Sequence, residues 1–263
     1  MNEILVTILS ISLIFLGTTF GSFFVFFIKN KLSDRVSDII MGFAGGIMVA
    51  AAIFGLMNPS IEDAQANYGD LAVLPVVIGF VLGGIILFIL DKAIPHFHIG
   101  SGNEEGPKTT TISKEIKFLF AVTIHNIPEG LAVGFACGLA LINKDPIAIS
   151  GALSLAIGVT IQNIPEGAAV SIPLLETGMS KWKSFLHGTL TGIVEPIFAV
   201  IGLFIATQLT MIMPWLLSFA AGAMIYVTID EILPAARKGG HEHIGLWSFM
   251  IGFSMMLILE LCL

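Results

Sequence analysis

Charge is scarce in this chain. Of 263 residues only 12% are Asp, Glu, Lys or Arg, against 56% hydrophobic, about half the charged share of an ordinary globular domain. That shortage excludes a water-soluble fold, because too little polar side chain is present to cover the surface. Cysteine is nearly absent too. Cys137 and Cys262 are the only two, both inside apolar stretches, which leaves no disulfide framework or thiolate metal site and reads as core packing. No HExxH signature occurs, no nucleophile lies beside an evident base, and nothing in the sequence resembles an output domain, so hydrolase and sensor readings lack their machinery. The net charge of −7 at neutral pH has the wrong sign for nucleic acid or for a peripheral hold on anionic lipid.

What the chain has instead is long apolar runs. About 20 helical residues, each rising 1.5 Å, cross a bilayer core. A window of about 19 residues places eight such runs near 3–28, 36–58, 71–94, 116–141, 147–172, 182–207, 212–236 and 244–263. The first reads as a retained helix rather than a signal peptide: it is too long, has Glu3 where a basic segment would lie, and lacks a small-residue cleavage pattern. The expected fold class is all-α, a polytopic membrane protein of one domain over 1–263 with eight transmembrane helices.

Eleven of the twelve basic residues fall on one side of that plan. They are Lys29, Lys31 and Arg35; Lys92, Lys108, Lys114 and Lys117; Lys181 and Lys183; Arg237 and Lys238. Only Lys144 lies opposite. Positive charge marks the cytoplasmic side, so both termini are expected outside a plasma membrane. There the loop with Glu62, Asp63 and Asp70 either gathers cations or is simply solvated. The longest loop, about 95–115, is rich in Gly, Ser and Thr and carries His96 and His98; His241 and His243 sit in another loop of the same side. Such pairs can hold a divalent metal, yet two ligands alone make a weak site, and solvated loop histidines fit as well.

Two stretches cut across the apolar pattern, VTIHNIPEGLAV at 122–133 and VTIQNIPEGAAV at 159–170. Ionisable groups at membrane depth cost about 2.5 to 3.5 kcal/mol each on insertion scales and mark pathways or binding sites. His125 and Glu129 are spaced i, i+4 and Asn126 and Glu129 i, i+3, so all three project from one helix face. Gln162, Asn163 and Glu166 repeat the pattern on the next helix. Consecutive spans run antiparallel, so the two sets converge at mid-membrane: two carboxylates, one imidazole and three side-chain amides. Facing carboxylates in a low dielectric repel or share a proton unless a cation lies between them. Nitrogen and oxygen donors without thiolate suit Zn2+, Fe2+, Mn2+ or Cd2+ rather than Cu+, here as transported substrate and not as cofactor. Enough carboxylate is present for one group to bridge two ions.

Pro128 and Pro165 each remove a helical hydrogen bond, which frees the carbonyls of residues 124 and 161 and predicts kinked fourth and fifth helices around a central metal site. Gly130 and Gly167 follow, small enough for a neighbouring backbone to come close. A cluster that merely glues helices needs one or two amides, not paired glutamates with a histidine. Glu195, beside Pro196 in the sixth span, is the best further ligand. Asp230 and Glu231 in the seventh read as an exit station or an end cap, and Glu62 as the matching way in. His187 reads as a satisfied interfacial histidine, Met48 and Met57 as packing.

At HNIPEG (125–130), QNIPEG (162–167) and VEP (194–196) the sequence resembles the ZIP (ZRT/IRT-like) family of divalent metal transporters, above all its bacterial GufA-like and ZupT-like branch. The resemblance covers the whole eight-span plan. It implies a binuclear transport site, one metal at His125, Glu129, Gln162 and Glu166 and a second at Asn126, Glu129, Asn163, Glu166 and Glu195, with Glu129 and Glu166 bridging. It also implies uptake into the cytoplasm, an elevator-like movement of the ligand-bearing helices against a scaffold, and homodimers in the lipid bilayer. Gln162 stands where a histidine is common in the family, and DEILP at 230–234 where HEILP-like patterns occur. A neutral amide holds metal less strongly than imidazole. The rival from another class is a metal-dependent intramembrane hydrolase in which His125 and Glu129 activate water; the missing HExxH and the use of the carboxylates as ligands count against it.

Overall fold

The helices begin where short polar side chains take up their free N–H groups. Asn2 accepts from Ile4 N ahead of α1 (Glu3–Phe23), Ser33 from Val36 N ahead of α2 (Asp34–Ala50), and Ser113 from Ile116 N ahead of α5 (Lys114–Asn143). Asp145 caps α6 (Pro146–Glu176), whose proline sits where a missing N–H is harmless, and Ser180 caps α7 (Lys181–Gly192). The remaining helices are α3 (Asn58–Tyr68), α4 (Val73–Ala93), α8 (Val194–Gln208), α9 (Met213–Val227), the short α10 (Leu233–Ala235) and α11 (Glu242–Cys262). The computed structural model describes residues 2–28, 33–97, 104–108 and 113–263. Lys29, Lys31 and His98 lie outside the described residues.

Eight stretches are long and apolar enough to cross a membrane: Glu3–Phe26, Asp34–Leu71, Val73–Ala93, Ile116–Asn143, Pro146–Leu175, Lys181–Gln208, Thr210–Ala235 and His243–Cys262. They follow the predicted order. Only 22% of the apolar window is buried in the third and in the last, and side chains such as Val77, Val81, Trp247 and Ile251 point outward. Lipid is the solvent that accepts such a surface.

Two corrections concern α2. Its predicted end near 58 is not an end, because Ala51–Met57 winds as π-helix and continues into α3. Pro59 falls at the start of α3, where it breaks nothing, so Glu62 and Asp63 sit on a helix rather than in a loop. A second π-wound segment, Thr228–Ile232, follows α9 and likewise runs into a proline, Pro234. Helices α5 and α6 run uninterrupted through Pro128 and Pro165. Among the described residues the departure from all-α is a two-residue antiparallel ladder, β1 (His96–Phe97) against β2 (Glu104–Glu105).

The heaviest packing joins α1 to α6, α5 to α8, α2 to α11 and α4 to α9. The first two pairs, with α7, form one group; the other two, with α3, form a second. Inside a group the backbones touch. A β-carbon on Gly21 would lie 1.9 Å from Ile164 O, and one on Gly46 2.0 Å from Phe249 O. Between the groups α2 packs on α6 and α5 on α9, around a buried cluster rich in alanine: Ala51, Ala52, Ala132, Ala136, Ala152, Ala156, Ala220 and Ala221.

Candidate metal centre

Helices α5 and α6 lie side by side, and both motifs face inward. His125, Asn126, Glu129, Gln162, Asn163 and Glu166 are all buried, together with Glu195 from α8. Helix α8 comes this close because position 130 is glycine, where a β-carbon would lie 2.4 Å from Glu195 O. Gly167 does the same for α1, with a β-carbon 2.1 Å from Thr18 O. The motif glycines thus seat the two neighbours that complete the cluster.

One amide holds both motif carboxylates. Gln162 Nε2 donates to Glu129 Oε1 at 2.5 Å and to Glu166 Oε2 at 3.3 Å. Glu195 is held from three sides: Oε1 accepts from Thr18 Oγ1 at 2.9 Å and from Asn126 Nδ2 at 3.0 Å, and Oε2 from Asn163 Nδ2 at 2.5 Å. Asn126 and Asn163 also donate to Thr191 O and Ile14 O. Each amide has therefore used its N–H bonds, and the oxygens remain. Asn126 Oδ1, Asn163 Oδ1, Gln162 Oε1, Glu129 Oε2 and Glu166 Oε1 are buried and accept no hydrogen bond. Buried polar atoms are nearly always paired, and each unpaired one costs about 1–3 kcal/mol. Five such acceptors on neighbouring side chains, three in the Gln162–Glu129–Glu166 group and two on the amides that hold Glu195, are the kind of oxygen donors that a cation without its water shell takes.

Among the described residues no three His, Cys, Asp or Glu side chains stand close enough to hold a metal ion by themselves. The cluster is as much amide as acid, so its ligating capacity lies in neutral carbonyl oxygens as well as in charge. His125, Glu129, Gln162 and Glu166 line a narrow cavity of about 20 Å3, bounded further by Met41, Met48, Val227 and Ile232. One water-sized guest fits such a space. Met48 packs in the core as expected and also faces this cavity, with its sulfur 3.7 Å from Thr228 Oγ1. Met57 packs against the core as expected.

A wider cavity of about 420 Å3 lies at the other end of the same helices. Its lining includes Glu62, Asp63, Asp145, Glu260, Asn58 and Asn143 and no basic residue. Glu62 and Asp63 were the readable members; Asn58 opens α3, Asn143 ends α5, Asp145 caps α6 and Glu260 lies at the far end of α11. Between this vestibule and the cluster Val133, Leu155 and Met224 are buried in one apolar cluster with Leu56, beside the polar Ser154 and Thr160 of α6.

Asp230 and Glu231 belong to the π-wound segment, but Val227 and Ile232 line the narrow cavity and they do not. Asp91, which no motif marked, is buried nearby, hydrogen bonded to Tyr226 and within electrostatic reach of Asp230 and Glu105. His96 is not a solvated loop histidine. The β1–β2 ladder folds back on α5, leaving His96 fully buried, 2.8 Å from Ile94 O and 3.7 Å from Asp91. His241 lies 3.5 Å from Asp38 and His243 is exposed. His187 is half-buried, with Nδ1 2.7 Å from Lys183 O, a satisfied histidine as expected. Cys137 is buried, whereas Cys262, at a helix end, is exposed instead of packed in the core.

The profile of a family described as ZIP Zinc transporter matches residues 4–117 and 103–260. The chain belongs to that family. Among its relatives, Zinc transporter ZIP11 of Homo sapiens is 31% identical over 320 residues, covering 93% of each chain. Zinc transporter GufA of Myxococcus xanthus is 34% identical over 238 residues, covering 90% of this chain and 91% of its own. Zinc transporter ZupT of Clostridium perfringens is 32% identical over 282 residues, covering 98% and 96%. These ZIP relatives are named as transporters and not as enzymes.

Proposed function

We propose that this ZIP protein carries divalent cations, zinc foremost and Fe2+, Mn2+ and Cd2+ with it, into the cytoplasm across the plasma membrane through a binuclear site in the α5–α6 cluster. The observation that supports this most strongly is the set of buried, unpaired oxygens on Glu129, Gln162 and Glu166, which Gln162 joins, and on Asn126 and Asn163, which hold Glu195. His125, Glu129, Gln162 and Glu166 make one position beside the narrow cavity; Asn126, Glu129, Asn163, Glu166 and Glu195 make the other. The ion enters the acidic vestibule, exchanges water for these oxygens, and leaves through the narrow cavity past Asp230, Glu231 and Asp91. The placement of basic residues supports this direction, and the names of the relatives support the cargo.

Transport needs the apolar seal to open. The packing supports a rigid movement of one helix group against the other, since backbones lock inside each group while the boundary is alanine and side-chain tips. A β-carbon on Gly55 would meet Leu155, and one on Gly158 would meet Met256 and Ile47, in each case side-chain atoms alone. A hydrolase would need a base held beside a nucleophilic water; here Gln162 ties both carboxylates together.

Uptake of radiolabelled zinc into liposomes holding the purified protein, competed by the other three ions, tests the reading. Absence of uptake, or uptake that none of them competes, sinks it. His125 ligates only as neutral imidazole, so protons compete with metal. Lowering the outside pH from about 7.5 to about 5.5, across the range in which imidazole titrates, is expected to raise the zinc concentration for half-maximal uptake, and His125→Gln to flatten that dependence. An unchanged profile in His125→Gln would place the competing proton elsewhere.

The vestibule makes a separate prediction. In Glu62→Gln/Asp63→Asn the KM for zinc is expected to rise about threefold at low ionic strength, because surface charge gathers cations through a field that salt screens. At high salt the two proteins should converge. An equal difference at both salts would show that the pair acts by contact and not by field.

A further inference from the structure

The side-chain hydrogen bonds that join one helix to another mostly stay inside a group. Thr18 reaches Glu195, Ser60 reaches Pro214 O, Ser218 reaches Pro75 O and Ser248 reaches Ile39 O. Ser154 does otherwise. It lies on α6 in the first group, and its hydroxyl donates to Glu260 Oε2 on α11 in the second, at 3.0 Å. Its neighbours on α6 show the ordinary outlet for such a hydroxyl: Ser150 and Thr160 each donate to the carbonyl four residues earlier in their own helix.

Position gives this bond its leverage. Helices α6 and α11 meet in antiparallel register: the Met256 side chain sits over Gly158, and about one turn along each helix Glu260 meets Ser154. The first contact is a side-chain tip against bare backbone, which resists sliding little. The second is directional. The next residue on α6, Leu155, is one of the buried apolar side chains between vestibule and cluster and reaches the bare backbone of Gly55 in the π-wound segment. Glu260 itself lines the vestibule. The two groups are thus tied beside the apolar seal, by a bond that can be exchanged: a serine hydroxyl that lets go of Glu260 has a carbonyl of its own helix to turn to.

We propose that Ser154 and Glu260 form a latch across the group boundary, which favours the arrangement in which the cluster is closed to the vestibule. The inference rests on the reading of the cluster as the transport site and of the vestibule as the way in. A site that is reachable only in a minor arrangement binds with an apparent affinity reduced by the fraction of that arrangement. Weakening the latch therefore tightens apparent binding. Plain structural damage would weaken it.

In Ser154→Ala the KM of zinc uptake into liposomes is expected to fall about fivefold, the size of one net hydrogen bond. Ser150→Ala, about one turn earlier and bonded within α6, is the control and leaves KM unchanged. Access is read separately with a reporter thiol. In a Cys262→Ser background, which removes the exposed cysteine, Ala132→Cys places a thiol on α5 between Glu129 and Val133, and a membrane-impermeant maleimide is added from the vestibule side. Labelling is expected about fivefold faster with Ser154→Ala or Glu260→Ala, and no faster when the two are combined, because both break one bond. Glu260→Gln, whose side-chain oxygen still accepts from Ser154, stays near the parent rate. Three results would overturn the latch: a parent labelling rate in Ser154→Ala and Glu260→Ala, additive gains in the double variant, or a raised KM in Ser154→Ala. The bond is broken from either side, so one variant that does not fold leaves the other to decide. Glu166→Ala separates the two levels. If it carries zinc normally, the transport site is misplaced and labelling alone judges the latch; if it fails while Ser154→Ala labels like its parent, only the latch is overturned.

Discussion

In Glu166→Ala, zinc uptake into proteoliposomes is expected to fall by about two orders of magnitude or more, because truncating one partner of a buried charge pair costs about 2–5 kcal/mol of binding. The protein stays folded. Without Glu166, the second N–H bond of the Gln162 amide loses its acceptor and the ion loses one of its two motif carboxylates. Metal-free wild-type protein holds Glu129, Glu166 and Glu195 buried within one hydrogen-bonded cluster, and like charges so placed oppose folding. The melting temperature of Glu166→Ala in metal-free buffer is therefore expected to equal or exceed that of the wild type. Added zinc raises the wild-type melting temperature by mass action and leaves the variant unmoved. Wild-type flux, or a full zinc-dependent rise in melting temperature, would be decisive against Glu166 as a ligand.

Gly130→Ala fails for another reason. Its β-carbon would lie 2.4 Å from Glu195 O and 2.9 Å from Glu195 Cα, and these are backbone atoms that cannot swing aside. Helix α8 must move off α5, at a cost of about 1–3 kcal/mol for overpacking of this kind. Glu195 then draws away from Asn126. The expected outcome is a lowered melting temperature with zinc uptake lost even at saturating zinc. Gly151→Ala, in α6, is the control: nothing lies within 4 Å of its β-carbon, and alanine is the better helix former. Equal stability and equal uptake in the two variants would show that the close contact of α5 with α8 is dispensable.

The eight crossings were readable because apolar runs of membrane length announce themselves one at a time. The motif cluster was readable for a similar reason: i, i+4 spacing fixes which side chains share a helix face. Periodicity ends there. It does not say which end of an amide faces a cavity, so the commitment of every amide nitrogen, and the five oxygens left over, needed coordinates. Thr18 and Glu195 are 177 residues apart, and a lone threonine in an apolar helix carries no signal of its partner. The vestibule was hidden likewise, since Asp145 reads as a helix cap and Glu260 as the polar end of the last span. Helix α3 was missed because the apolar run ends near 58 and a polar stretch with Pro59 follows, although proline begins a helix as readily as it ends one. His96 was misplaced because a Gly- and Ser-rich loop looks solvated until its ladder is seen.

The buried side chains of Leu56, Val133, Leu155 and Met224 have a consequence for how the protein would behave in an electrical recording. A dry stretch of this kind interrupts any column of water, and a naked divalent ion within it faces a solvation penalty of tens of kcal/mol. If the proposed transport reading holds, flux is counted out by shape changes, a fixed cargo for each. Such a protein saturates, slows steeply on cooling, and gives no unitary current steps under a patch electrode.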